Sequence, residues 1–230
     1  MKGPKLELSE LRTELRDKLQ GDVPFAFSRW GDGEWIAIRG APRAQTNADG
    51  NHYFPALGKR LKKIAQHKQS YYMGCQWGRL FSLRGKYNQD WVQGDIFHTD
   101  SKRSNLKWFL DLLNSKHVLY AANPSLKELP FIDEFVNMGY KDIWPLYTKK
   151  LSQLKEALKA VKSPSVCLIS AGMAAGVFID DLWRWNKNIT YIDVGSVFEP
   201  YAGRLTRGYH KGGFEKIKEG ITYLEKISKK

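Results

Sequence analysis

"SVCLISAGMAAGVFIDDLWRWNKNITYIDVGS", residues 165 to 196, reads in three parts. SVCLISAG is an apolar run ending in small residues, the pattern of a buried strand entering a tight turn. MAAGVFIDDLWRWN follows with helical spacing, and ITYIDVGS is a second apolar strand. Nearly continuous apolar strands joined through a helix are the mark of a parallel pair covered on both faces. The expected fold is α/β, a mostly parallel sheet with helices on both faces.

The chain on either side repeats this alternation. LSELRTELRDKLQ, 8 to 20, puts Leu8, Leu11, Leu15 and Leu19 on one helical stripe, Gly21 ends it, and VPFAFSRW reads as the first strand. FPALGKRLKKIAQ is helical, SYYMGCQW is a strand, and the polar and aromatic segment from Gly78 to Thr99 has no clear period. SNLKWFLDLLNS predicts a helix capped by Ser104, and KHVLYAANP a strand closed by Asn123 and Pro124. ELPFIDEFVNMGY is read as a helix stopping at Gly139, KDIWPLY as extended, LSQLKEALKAVK as a helix, and FEKIKEGITYLEKISKK as the final helix. One domain spanning 1–230 is expected, with a variable, substrate-recognising region at about 41–120. Trp183 and Trp185 cannot both face inward on one helix.

The 230 residues carry 37 Lys and Arg against 24 Asp and Glu, a net charge of +13 and a pI near 9.6. That balance favours anionic partners: nucleotides, nucleic acids or anionic lipid surfaces. The basic clusters GKRLKKIAQHK and KISKK fit solvated faces equally well. No apolar run is long enough for a membrane span and the first residues lack the apolar block of a signal peptide, so a cytoplasmic protein is expected. Cys75 and Cys167 are far apart without metal-ligand spacing and read as buried reduced thiols.

Three segments carry chemistry. FAFSRWGDGEW, 25 to 35, carries Arg29 near the end of its strand and places Asp32 and Glu34 on either side of Gly33. In extended backbone, residues two apart point to one side, so the two carboxylates converge on a cation, Mn²⁺ or Mg²⁺, with Arg29 holding phosphate; a solvated Gly-Asp-Gly turn is the competing reading. Ser170, Ala171 and Gly172 stand at a strand-to-helix turn that offers backbone N–H groups to an anion, or merely lets the helix pack closely. Neither a dinucleotide fingerprint nor a Walker A loop occurs. Asp193 ends the last strand and opens a loop with Gly195, Ser196, Arg204, Arg207, Tyr209 and His210, and ligands gather outside the carboxyl ends of parallel strands. Arg204 and Arg207 are spaced to clamp a diphosphate. Ser170, Asp193 and His210 also stand in the chain order of a hydrolase triad, although Leu168 replaces the expected glycine two positions before Ser170.

FSRWGDGE, followed late in the chain by LISAGMAAGVFIDDLW and YIDVGS, resembles the GT-D-type glycosyltransferases, a family first described as a domain of unknown function. The resemblance implies a Rossmann-like α/β domain transferring a sugar from a nucleotide-diphosphate sugar, with Asp32 and Glu34 as a pair linked to a divalent cation, usually Mn²⁺. Arg29, Gly31 and Gly33 would shape that site, and Ser170 to Gly172 with Asp193 to Gly195 would meet the donor nucleotide. Trp30 stands where phenylalanine is commoner. The expected activity is a metal-dependent glycosyltransferase acting on a hydroxyl of a glycan, a glycoprotein or a hydroxymethylated base in DNA, with Asp193 and His210 as candidate general bases. The contrasting expectations are a non-catalytic nucleic-acid or polyanion binding module with a degenerate site, and the Ser170/Asp193/His210 hydrolase.

Overall fold

A computed structural model describes residues 8–47, 49–76, 86–87, 89–97, 106–161, 165–208, 210 and 214–227. Trp77, Ser104, Tyr209 and, within the segment 78–99, residues 78–85, 88, 98 and 99 lie outside the described residues.

The helices are α1 (Leu8–Gln20), α2 (Asp32–Ile38), α3 (Pro55–Gln66), α4 (Lys107–Asn114), α5 (Tyr147–Ala160), α6 (Ala175–Trp185) and α7 (Phe214–Ile227). The strands are β1 (Ala26–Trp30), β2 (Tyr72–Cys75), β3 (Trp91–Gln93), β4 (His117–Ala122), β5 (Glu134–Asn137), β6 (Ser165–Ile169) and β7 (Thr190–Asp193). They form one sheet in the order β3-β2-β1-β7-β6-β4-β5, and every pairing is parallel.

Alternate residues of the central strands feed two cores, as a two-residue side-chain period requires. Ala26 and Trp30 join the apolar faces of α2, α3, α5 and α6, while Phe25 and Phe27 join those of α1, α4 and α7. Leu11, Leu15 and Leu19 are buried, so the leucine stripe of α1 is its packing face. Trp30 sits within 5.4 Å of Trp35 and 5.9 Å of Trp91, ring to ring, and its indole N–H donates to Ser28 Oγ. Trp183 is buried with its indole N–H on Ser70 Oγ, and Trp185 is half-buried beneath the Lys155 ammonium.

Two expectations are corrected. ELPFIDEFVNMGY is not a helix: its core is the edge strand β5, held on one side by β4. Apolar residues at 129, 131, 132, 135 and 136 imitate helical spacing, because the first of them line a turn and only the last two belong to the strand. KDIWPLY is not extended; Trp144–Leu146 form a 3₁₀ turn with Pro145 inside it.

The topology positions a crevice. After β1 and β6 the chain passes to the α2, α3, α6 side, whereas after β4 and β7 Leu126 and Val197 pack with the α1, α4, α7 side. Neighbouring strands therefore send their carboxyl ends apart at β1/β7 and at β6/β4, which is where a parallel sheet opens to ligands.

Candidate active site

The segment that carries the acidic pair is helical. Gly31 is the residue before α2, and its N–H donates to Glu34 Oε2 at 2.7 Å while the Trp35 N–H donates to the Gly31 carbonyl at 3.4 Å. This is a capping arrangement, in which an acidic side chain three residues in reaches back to an unpaired amide. Asp32 and Glu34 are thus at the first and third helical positions, on different sides of the axis, rather than side by side on extended chain. Asp32 is exposed and Glu34 is buried. Burial pushes the Glu34 carboxyl up, against the backbone N–H bonds and the Arg29 charge that pull it down. Tyr53 feels both carboxylates: burial first, then Glu34 and Asp32, raise its hydroxyl. Gly33 is needed for contact, since a Cβ there would come within 2.9 Å of Met173 Cγ on the turn after β6.

Asp193 ends β7 with both oxygens engaged: Oδ2 accepts the Arg29 N–H at 3.2 Å and Oδ1 the Gly195 N–H at 3.0 Å. Desolvation dominates its titration and raises it to about 7, against the Arg29 charge and assisted by Glu34. Ser170 Oγ donates to the Gly195 carbonyl at 2.5 Å, so the 2.8 Å bond to Tyr120 has the phenol as donor. The strand ends of β1, β4, β6 and β7 are in this way tied together at Gly195.

Two cavities open on this junction. One, about 450 Å³, is lined by Arg29, Asp32, Glu34, Asn47, Tyr53 and Asp193; the other, about 510 Å³, by Asn123, Tyr140, Lys141, Ser170, Glu199 and Arg204. Asp49, Gly172, Gly195, Ser196 and Arg207 line both, and Asp49 pairs with Arg207 where they meet. The halves differ in charge. The first has four described carboxylates, Asp32, Glu34, Asp49 and Asp193, against Arg29 and Arg207; the second sets Lys141, Arg204 and Arg207 against Asp49 and Glu199.

Most of the sequence-predicted residues meet here, including Arg29, Gly31, Gly33, Ser170, Ala171, Gly172, Gly195, Ser196, Arg204 and Arg207. Arg204 is steadied by Asn123 Oδ1 at 3.1 Å and Ser125 Oγ at 2.9 Å. His210 is placed differently. It is fully buried, its Nδ1 accepts the Arg207 N–H at 3.2 Å, and burial with the nearby Arg207 and Arg29 charges lowers it to about 4. It anchors the Arg207 loop from behind. The hydrolase triad is not assembled: the single proton of the Ser170 hydroxyl is committed to the Gly195 carbonyl, and the buried His210 turns Nδ1 to the Arg207 N–H. Asp49, Asn51, Asn123, Tyr140 and Lys141 are crevice residues that sequence reasoning passes over; the only sequence signal was the cluster NADGN at 47–51, which reads as a plain turn.

The donor set suits a hard divalent cation. Mg²⁺ and Mn²⁺ bind through one or two carboxylates together with substrate phosphates, so a protein cage of three ligands is not required, and none is gathered among the described residues. Asp32 and Glu34 both line the acidic cavity, Glu34 with Oε2 engaged by the cap. The carboxylate excess there gives such a cation a counter-charge.

No protein-family model and no curated protein matches the sequence. Solved structures do. A DUF1792 glycosyltransferase from Streptococcus sanguinis superposes with a TM-score of 0.65 over 94% of this chain and 85% of its own, at 12% identity. A structure of domain of unknown function 1792, described as having a distinct glycosyltransferase fold, gives 0.62 over 92% and 81% at 16% identity. The fold is that of the DUF1792 glycosyltransferases. At these identities the likeness is one of architecture. Within the DUF1792 fold, RWGDGE falls at the β1–α2 junction and the two late motifs at the ends of β6 and β7, three adjoining positions around one crevice.

Proposed function

We propose that this protein is a glycosyltransferase that takes a sugar from a nucleotide-diphosphate donor, assisted by Mn²⁺ or Mg²⁺, and passes it to a glycan or glycoprotein hydroxyl. The observation that carries the reading is the charge division of the crevice: a carboxylate-rich half and a cation-rich half share a floor of Gly172, Gly195 and Ser196. A diphosphate bridged to a divalent cation has the matching polarity. Asp32 and Glu34 would hold the metal, which supplies charge neutralisation for the departing nucleotide diphosphate. Arg207, at the junction, and Arg204, beside it, line the cavity and would meet phosphate oxygens. Arg29 is held over Gly195 and offsets charge between Glu34 and Asp193. Of the two general-base candidates Asp193 lines the crevice and His210 does not, so Asp193 takes the acceptor proton in this reading.

The test is a thermal-shift screen of nucleoside diphosphates with and without Mn²⁺, because a ligand that binds only the folded state raises the melting temperature by mass action. A rise is expected only when both are present, and Asp32→Asn should abolish it. No rise with any nucleoside diphosphate, together with no Mn²⁺-dependent hydrolysis of any nucleotide-sugar, overturns the reading.

A further inference from the structure

The two helical layers carry different charge. On one side of the sheet, α2 has no basic residue and two acidic ones, α3 has four and none, α5 four and one, and α6 one and two, a net of +4. On the other, α1 has three of each, α4 one of each and α7 three of each, a net of zero. The arginines of the basic side serve the protein itself: Arg60 and Arg184 pair with Asp180, and Arg60 also with Asp181. Its lysines do not. Lys59, Lys62 and Lys63 are exposed on α3 without a described carboxylate partner, and Lys149 and Lys159 are exposed on α5, the latter beside Glu156.

Where this side meets the mouth of the crevice, two large apolar side chains stand in solvent: Tyr140, 69% exposed, on the cavity rim, and Leu146, 48% exposed, immediately before α5. Exposed apolar tips at the edge of a layer bearing exposed ammonium groups suit a lipid headgroup region, where an amphipathic ring or aliphatic tip enters the interface and lysines meet anionic lipid. A duplex, in contrast, draws on bidentate arginine forks, and here the described arginines of that layer are already paired.

We propose that the α3/α5 side, with Tyr140 and Leu146 at its margin, docks on an anionic bilayer surface and brings the crevice mouth to headgroup level. The inference stands on charge and exposure and does not require the donor chemistry proposed above.

The test is co-sedimentation of the full chain with vesicles of phosphatidylcholine with and without phosphatidylserine, at low and high ionic strength. Binding is expected only to the anionic vesicles and is lost in salt. Lys59→Gln, Lys62→Gln and Lys63→Gln together should weaken it roughly a hundredfold, at about 1 kcal/mol for each lysine near the surface. Arg16→Gln, Lys18→Gln and Lys226→Gln, on the balanced side, should leave it close to wild type, and the melting temperature of both variants without ligand should stay within a few degrees of wild type. Equal loss in both variants, equal binding to neutral vesicles, or no vesicle binding overturns the proposal; duplex DNA binding in that last case, abolished by the α3 changes, reassigns the face to nucleic acid.

Discussion

The guanidinium of Arg29 occupies the space that the missing side chain of Gly195 leaves: a Cβ on Gly195 would lie 2.2 Å from Arg29 Nη1, and Gly195 has φ +55°. Gly195 also receives Ser170 through its carbonyl and reaches Asp193 through its N–H, so one residue sets the positions of three crevice side chains.

Gly195→Ala should therefore do two kinds of damage. Left-handed backbone costs a residue with a side chain roughly 1–2 kcal/mol, and the methyl group must also displace Arg29. We expect a melting temperature several degrees lower and at least about a tenfold loss of Mn²⁺-dependent donor hydrolysis, on the scale of a misplaced charge-stabilising group. Gly203→Ala is the control, because its φ of +74° carries the same strain while nothing lies within 4 Å of its Cβ. It should cost stability alone, as melting curves paired with hydrolysis assays will show.

Glu34→Gln separates capping from charge. Glutamine still reaches the Gly31 N–H, and it removes a buried carboxylate that desolvation penalises. Stability should stay level or rise by about 1 kcal/mol, while metal-dependent donor hydrolysis falls at least about tenfold. Chemical denaturation and a Mn²⁺ titration of activity check the two halves; a fall in stability with activity intact would reverse the assignment.

Asp193 and His210 drive stability in opposite directions with pH. Asp193 titrates near 7 when folded against 3.8 in the open chain, so its contribution is full below 3.8 and is lost as pH rises to 7. His210 titrates near 4 when folded against 6.5, so its contribution is present above 6.5 and is lost as pH falls to 4. Relative to wild type, His210→Gln should lose stability as pH is raised from 4 to 7, and Asp193→Asn should gain it, each by on the order of 2 kcal/mol. Denaturant midpoints across that range check the signs.

Ser170→Ala removes the hydroxyl that joins Tyr120 to the Gly195 carbonyl. The expected cost is about 1–2 kcal/mol of stability, with donor hydrolysis reduced but measurable. A nucleophile would behave otherwise: esterase or acyl-transfer activity in the wild type, eliminated in the variant, would restore the hydrolase reading.

The long periodic segments were legible. The leucine stripe of α1 and the apolar strands β4, β6 and β7 announced themselves because their side chains face one buried surface or two. β3 was not, since three residues carry no period, and β5 was hidden by apolar residues of the turn preceding it. The acidic pair lines the crevice, but on a helix rather than on extended chain: Gly31 with Glu34 three residues later is a helix-start signal, and the glycines on either side of Asp32 mask it as turn chemistry. Asp49, Asn123 and Tyr140 come from three separate connections, and their convergence depends on strand order, which single-sequence patterns do not encode.

The pairing of β1 with β7 joins Phe27 to Ile192, and the Arg29 N–H reaches Asp193 across 164 positions of sequence. Such distant pairing is slow to form, and on the ribosome it waits until residue 193 has been made. Until β7 emerges, β1 can pair only with β2, and its other edge presents unpaired amides among apolar side chains, a surface prone to self-association. Binding competence in this molecule is consequently a late folding event, and protection of the Arg29 amide from hydrogen exchange would time it.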